Sequence, residues 1–242
     1  MRFWVGFLLA GVMIKSQPSL GQIRFEKGVK AGFNYTNLDF STVGRLGSGI
    51  INNYHWNPSF NFGVYALIKL PKNHSLSPLA LQPEIVFSRQ GQRYTTPFNS
   101  NLRTAFYYMN VPVVIKYYFA GGLNLQFGPQ IGFMVGSKGD LLQIDKRYST
   151  IYGPAIENQS IQNYVNKIDF SLVFGLGLDL PFGGSLTVRY NLGISDANKF
   201  TNAPNQQPAN NIGVITSSIS TAYTRNQVLQ VSLGYRLKKK KK

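Results

Sequence analysis

The sequence predicts an all-β protein: an eight-stranded antiparallel up-and-down transmembrane β-barrel with short periplasmic turns and long extracellular loops. Three observations point there. Apolar residues alternate with small or polar ones over eight segments, a period that strands have and helices lack. The connections between these segments alternate between short and long, the layout of barrels in a bacterial outer membrane. Charged residues make up only 14% of the 242 residues, whereas a water-facing surface carries about 25–35%.

The chain opens with Arg2, an apolar stretch from Phe3 to Ile14, and small residues at Ser19 and Gly21. That order is an export signal, with cleavage before Gln22. The stretch is too short for a membrane helix, which takes about 20 apolar residues. The expected organisation is therefore a signal peptide over 1–21, a barrel over 22–237 and a basic tail over 238–242. The formal charge is +16, and removing Arg2 and Lys15 leaves +14. Five of those charges are Lys238–Lys242, read as a solvated tail. Without cysteine, neither a disulfide nor a cysteine-ligated metal is possible.

The alternation is cleanest over 168–180. Ile168, Phe170, Leu172, Phe174, Leu176, Leu178 and Leu180 share one face, opposite Asp169, Ser171, Val173, Gly175, Gly177 and Asp179. Segments 59–70, 123–135, 186–194 and 229–237 repeat the pattern; 25–36, 78–90 and 104–119 fit it less cleanly. Short turns are expected at Pro71–Ser75, Ala120–Gly122 and Pro181–Gly184. Long loops are expected at 37–58, 91–103, 136–166 and 196–225. An even strand number puts both termini on the periplasmic side.

The period alone does not say which face looks outward, since a soluble barrel hides its apolar face inside. Two features turn it outward here. The polar face is rich in Gly, Asn, Gln and Ser, which suits a tightly filled lumen. Aromatics of the apolar face gather near the strand ends: Phe25, Tyr117, Phe119 and Tyr235 at one, and Phe33, Tyr35, Phe60, Phe87, Tyr107, Phe133 and Phe170 at the other. Two aromatic girdles are expected at the two membrane interfaces. Pro83, Pro112 and Pro129 fall inside strands, where each removes a ladder donor. Bulges or kinks are expected there.

The charges on the polar face are Lys30, Lys69, Glu84, Lys116, Asp169, Asp179, Arg189 and Arg236. All should point into the lumen, which eight strands make just wide enough to fill with side chains. The expected pairs are Glu84 with Lys116, and Asp179 with Arg189 or Arg236, because buried charge is costly alone. A structural plug is the expected role. A small porin or channel is one rival, although aqueous channels belong to barrels of about sixteen strands. A lipid-modifying hydrolase is the other. It would need a nucleophile, base and orienting acid in mutual reach; His55 lies in the first long loop and His74 in a turn at the opposite end. No enzymatic activity, cofactor or metal is expected. Partners should be outer-membrane lipid and lipopolysaccharide, together with envelope proteins reached through the long loops. Tyr148, Tyr152, Tyr164 and the polar run 202–221 are candidate contacts there. Export argues against nucleic acid, and a monomer is expected.

Several stretches resemble the PorT-like outer-membrane β-barrel family of the Bacteroidetes. They are Gly28–Asn34, Leu81–Ile85, Val111–Tyr117, Gly128–Gln130, Phe174–Gly177 and Arg189–Gly193, six motifs in order at strand spacing. The resemblance covers nearly the whole mature chain and all three strand prolines. It implies an outer-membrane barrel, and through the family's namesake a link to protein secretion. One departure is the end of the chain: such barrels usually finish on an aromatic, whereas Leu237 stands here before the lysine run.

Overall fold

The computed structural model describes residues 23–39, 53–69, 78–95, 101–141, 144–145, 150–151, 156–162, 165–196 and 225–237. The strands are β1 (Arg24–Asp39), β2 (Asn53–Lys69), β3 (Leu79–Thr95), β4 (Asn101–Ala120), β5 (Leu123–Leu141), β6 (Ile144–Asp145), β7 (Thr150–Ile151), β8 (Ile156–Gln159), β9 (Ile168–Asp179), β10 (Gly184–Gly193) and β11 (Arg225–Leu237). Eight of them close into an antiparallel barrel in the order β1-β2-β3-β4-β5-β9-β10-β11, with β11 returning to β1. Closure leaves no strand edge in the wall, which the hydrocarbon of a bilayer requires.

The expected faces are the observed ones. Leu176 is 56% exposed and Leu233 67%, whereas Asp169, Ser171, Gly177 and Asp179 are buried. The girdle residues Phe25, Phe33, Tyr35, Phe60, Tyr117, Phe119, Phe133, Phe170 and Tyr235 are all exposed on the outer face. Phe87 and Tyr107 share that face half-buried, stacked on one another at 6.3 Å.

Two of the short turns follow from glycine. Between β4 and β5 only Gly121 and Gly122 lie outside the strands, at φ 51° and 87°. A two-residue hairpin that matches strand twist needs φ > 0 at both positions, a region only glycine enters freely. The β9–β10 turn closes through Leu180 N donating to Gly184 O at 2.8 Å, with Gly183 at φ 103°. The expected turn at Pro71–Ser75 lies outside the described residues.

Several expectations are corrected. Strand pairing runs further than the alternation suggested, so the loop read at 91–103 shrinks to the residues between Thr95 and Asn101. His55 belongs to β2, not to a loop. The loop read at 136–166 holds structure: β5 continues to Leu141, β8 pairs back onto it, and β6 and β7 form a small ladder. The prolines carry no bulge. Pro83 pairs with Val113, Pro112 with Gln130 and Pro129 with Leu172, all in constant local register. Each missing N–H shows instead as an unpaired step on the ladder to the preceding strand: β2–β3 passes over Pro83, β3–β4 over Pro112 and β4–β5 over Pro129. Register shifts fall elsewhere, at Trp56/Asn61, at Tyr107/Tyr108 and at Tyr118/Ala120. The second places Val135 as an extra residue in β5, so that Ser137 and Gly139 take over the inward face.

Candidate functional site

Among the described residues, inward side chains of all eight barrel strands are buried in the lumen. Nearest the short turns, Tyr65, Leu67 and Ala80 form an apolar layer with Tyr118 against it. Nearest the long loops, Phe106, Tyr108 and Val228 are buried. Ile161, just beyond β8, is 4% exposed. It lies where a side chain at Gly139 would meet it, beside Thr104, so the segment after β8 tucks into the loop end of the barrel. These inward apolar residues explain why β3 and β4 read less cleanly than β9: their inner faces help close the lumen rather than being wholly polar.

Between the two apolar layers lies a polar middle centred on Glu84. Its Oε2 accepts from Lys30 Nζ at 2.8 Å and from Arg189 at 3.0 Å. Its Oε1 accepts from Arg189 at 2.7 Å and from Gln82 Nε2 at 2.6 Å. The Arg189–Glu84 contact is therefore two-pronged, the geometry in which a guanidinium matches a carboxylate best. Arg189 also donates from Nε to Gln126 Oε1 at 2.7 Å, and Gln126 donates to Asn124 at 2.7 Å. In the closed order β3 and β10 stand four places apart of eight, as do β1 and β5. The bridge thus spans the barrel's full width, linking opposite walls.

Glycines make room for it. Gly175 pairs with Arg189 across β9 and β10, and a Cβ at Gly175 would lie 2.7 Å from the Arg189 side chain. A Cβ at Gly177 would lie 2.3 Å from Gln126 Nε2. The sequence signal was the Phe174–Gly177 stretch, whose glycines sit on the inward face; their partner could not be read from it.

A second cluster lies toward the turns. Asp179 accepts from Lys116 Nζ at 3.2 Å and from the Tyr118 hydroxyl at 2.6 Å. A third lies at the turn-end rim, where Glu26 meets Arg236 at 3.0 Å and Lys69 at 3.8 Å. Arg236 also donates to Leu180 O at 2.7 Å. Toward the loops, Asp169 accepts from Ser195 at 3.0 Å and Asn226 at 3.2 Å, with no ion pair among the described residues.

These contacts correct the expected pairs. Glu84 does not meet Lys116, because β3–β4 register sets Ala80 opposite Lys116. Glu84 is four residues further on, about 13 Å along the strand. Asp179 does not meet Arg189 for the same reason, since its partner in register is Ser185. Arg236 turns to Glu26 of the adjoining strand, a residue absent from the expected set.

The described residues contain no group of three or more His, Cys, Asp or Glu placed to hold a metal ion. The side chain of His55, together with His74, Tyr148, Tyr152, Tyr164, the run 202–221, residues 1–21 and the tail 238–242, lies outside the described residues.

Residues 15–199 match a family described as outer membrane protein beta-barrel domain. Curated protein sequences give no match. Among solved structures, the Neisserial surface protein A is similar at 10% identity and TM-score 0.45, covering 89% of this chain and 99% of that one. Ail, the attachment invasion locus protein of Yersinia pestis, is similar at 12% identity and TM-score 0.40, covering 88% and 98%. The same protein in complex with the heparin analogue sucrose octasulfate gives 9% identity and TM-score 0.42, covering 88% and 99%. Likenesses at this level concern the course of the chain alone.

Proposed function

The chain belongs to the outer membrane protein β-barrel domain family, and we propose that it serves there as a closed-lumen structural or interaction protein. The observation that carries this is the Arg189–Glu84–Lys30 bridge across the barrel, whose carboxylate is fully buried. A channel would need a water-filled path, and this bridge stands across it between two apolar layers. With the interior given to packing, the surfaces left for work are the loop end and the outer wall. The loops would then present the contacts to envelope proteins, and kinship with the PorT-like barrels of the Bacteroidetes would make secretion components the first partners to try. On this reading residues 1–21 are removed at export, the short turns and both termini face the periplasm, the chain acts as a monomer, and no catalysis takes place.

Planar-bilayer recording tests the closed lumen. The expected result is the absence of stable steps of the size given by barrels of about sixteen strands; such steps would overturn it. Deleting 202–221 and measuring secretion and surface adhesion tests the loop role. A barrel that inserts normally but loses neither function would contradict it.

A further inference from the structure

On the outer wall beyond the loop-end girdle, four cations gather on three adjacent strands. Arg89 and Arg93 stand on β3, Arg103 on β4 and Lys138 on β5. Register fixes their heights. Arg89 pairs with Tyr107, Lys138 with Ala105, and Arg93 with Arg103. The cations therefore start level with the girdle residue Tyr107 and end four residues beyond it. At the usual strand rise and tilt that is about 10 Å of height, enough to run through the roughly 5–8 Å headgroup layer of one leaflet. All four share the outward face with Phe87 and Tyr107, so they point to the bilayer side and not into the lumen.

Among the described residues this group is poorly satisfied. Two arginines directly opposite one another across a ladder repel, and both Arg93 and Arg103 are exposed. No ion pair to any of the four occurs among the described residues. The Arg89 Nε is buried without a hydrogen-bond partner. The one described carboxylate beside them is Asp140, whose Oδ2 accepts the backbone N–H of Arg103 at 3.0 Å. Below the Arg93–Arg103 pair, Gly91 and Ala105 pair on this face and are covered by their neighbours.

We propose that this patch, on the membrane-embedded reading given above, is a binding site for the phosphorylated headgroup of an outer-leaflet lipid. A phosphate held between the opposed Arg93 and Arg103 would convert their repulsion into a shared anion contact. Arginine suits this role because its planar fork matches phosphate oxygens. Anionic headgroups attract clustered cations at this depth. A phosphomonoester, carrying up to two charges, fits four cations and one carboxylate better than a zwitterionic headgroup does.

The test refolds the full chain into vesicles of phosphatidylcholine, with and without phosphatidic acid as the phosphomonoester probe, and reads the midpoint of the heat-modifiable band. Phosphatidic acid should raise the midpoint. The triple variant Arg93→Gln, Arg103→Gln, Lys138→Gln should insert equally well and lose most of that rise. Lys167→Gln should keep it, since Lys167 is exposed just before β9 and stands off the three strands that carry the patch. An equal rise in the triple variant would overturn the site. So would the same rise from inorganic phosphate added to phosphatidylcholine vesicles, which would make the source a free anion. Failure of the wild type to give a heat-modifiable band in either vesicle would instead defeat the membrane reading, and the site with it.

Discussion

The centre of the lumen and its turn-end rim hold the same kind of chemistry in different solvents. Around Glu84 the side chains of the carboxylate and its two cations are between 0% and 4% exposed. Around Glu26 they are between 19% and 28% exposed. The number of ion pairs is the same, two to each carboxylate. What differs is the cost of losing one. A buried charge stripped of its partner has no water to turn to, whereas a rim charge does. The lumen is therefore held by its centre, and the rim contributes trim.

Substitutions sharpen that contrast. Glu84→Ala leaves Lys30 and Arg189 facing each other in the buried middle of the barrel. It should cost about 3–5 kcal/mol in urea unfolding from vesicles. Replacing Lys30, Glu84 and Arg189 together by Met should be far milder than the single change, because an apolar plug needs no partners. If the triple variant proved as unstable as Glu84→Ala, mere filling of space would not be interchangeable with the ion bridge. Asp179→Asn, one layer nearer the turns, leaves Lys116 unpaired and weakens the Tyr118 contact; roughly 1.5–3 kcal/mol is expected. Gly177→Val overfills the space beside Gln126 and should cost about 1–3 kcal/mol by the same measurement. Glu26→Gln should fall below about 1 kcal/mol and fade further in high salt. A rim variant as damaging as Glu84→Ala would erase the difference between the two regions.

How much of this the sequence held depends on the distance over which each feature is set. The faces of β9 were legible because alternation is a local property of the strand, visible in Ile168–Leu180 alone. The inward position of Glu84 and Arg189 followed from the same parity. Their pairing did not, because it depends on how far each strand slides past its neighbour and on which strands end up opposite. Those quantities are fixed by closure of the whole barrel. Glu84–Lys116 looked reasonable between neighbouring strands, and a four-residue offset excluded it. Glu26 has the parity of Lys30 and opposes Phe25, so the polar face of 25–36 includes it, yet the expected charge set omits it. The prolines misled in the other direction. Each was expected to bend its strand, yet Pro83, Pro112 and Pro129 lie in register, their missing donors absorbed by unpaired steps. Ile161 could not have been anticipated, since nothing local distinguishes an apolar residue that tucks into a barrel mouth from one in a solvated loop.

The central claim is that hydrocarbon meets the apolar side of the wall and that the polar side is sealed within. The chain has no cysteine, so a single cysteine at Leu176 or at Leu233 can carry a unique spin label on the barrel refolded into vesicles. Relaxation by oxygen, which concentrates in lipid, and by a water-soluble nickel chelate then reports the surroundings of each label. The account predicts strong oxygen and weak nickel relaxation at both positions. Labels shielded from oxygen, or relaxed mainly by nickel, would place these leucines away from the lipid and contradict it.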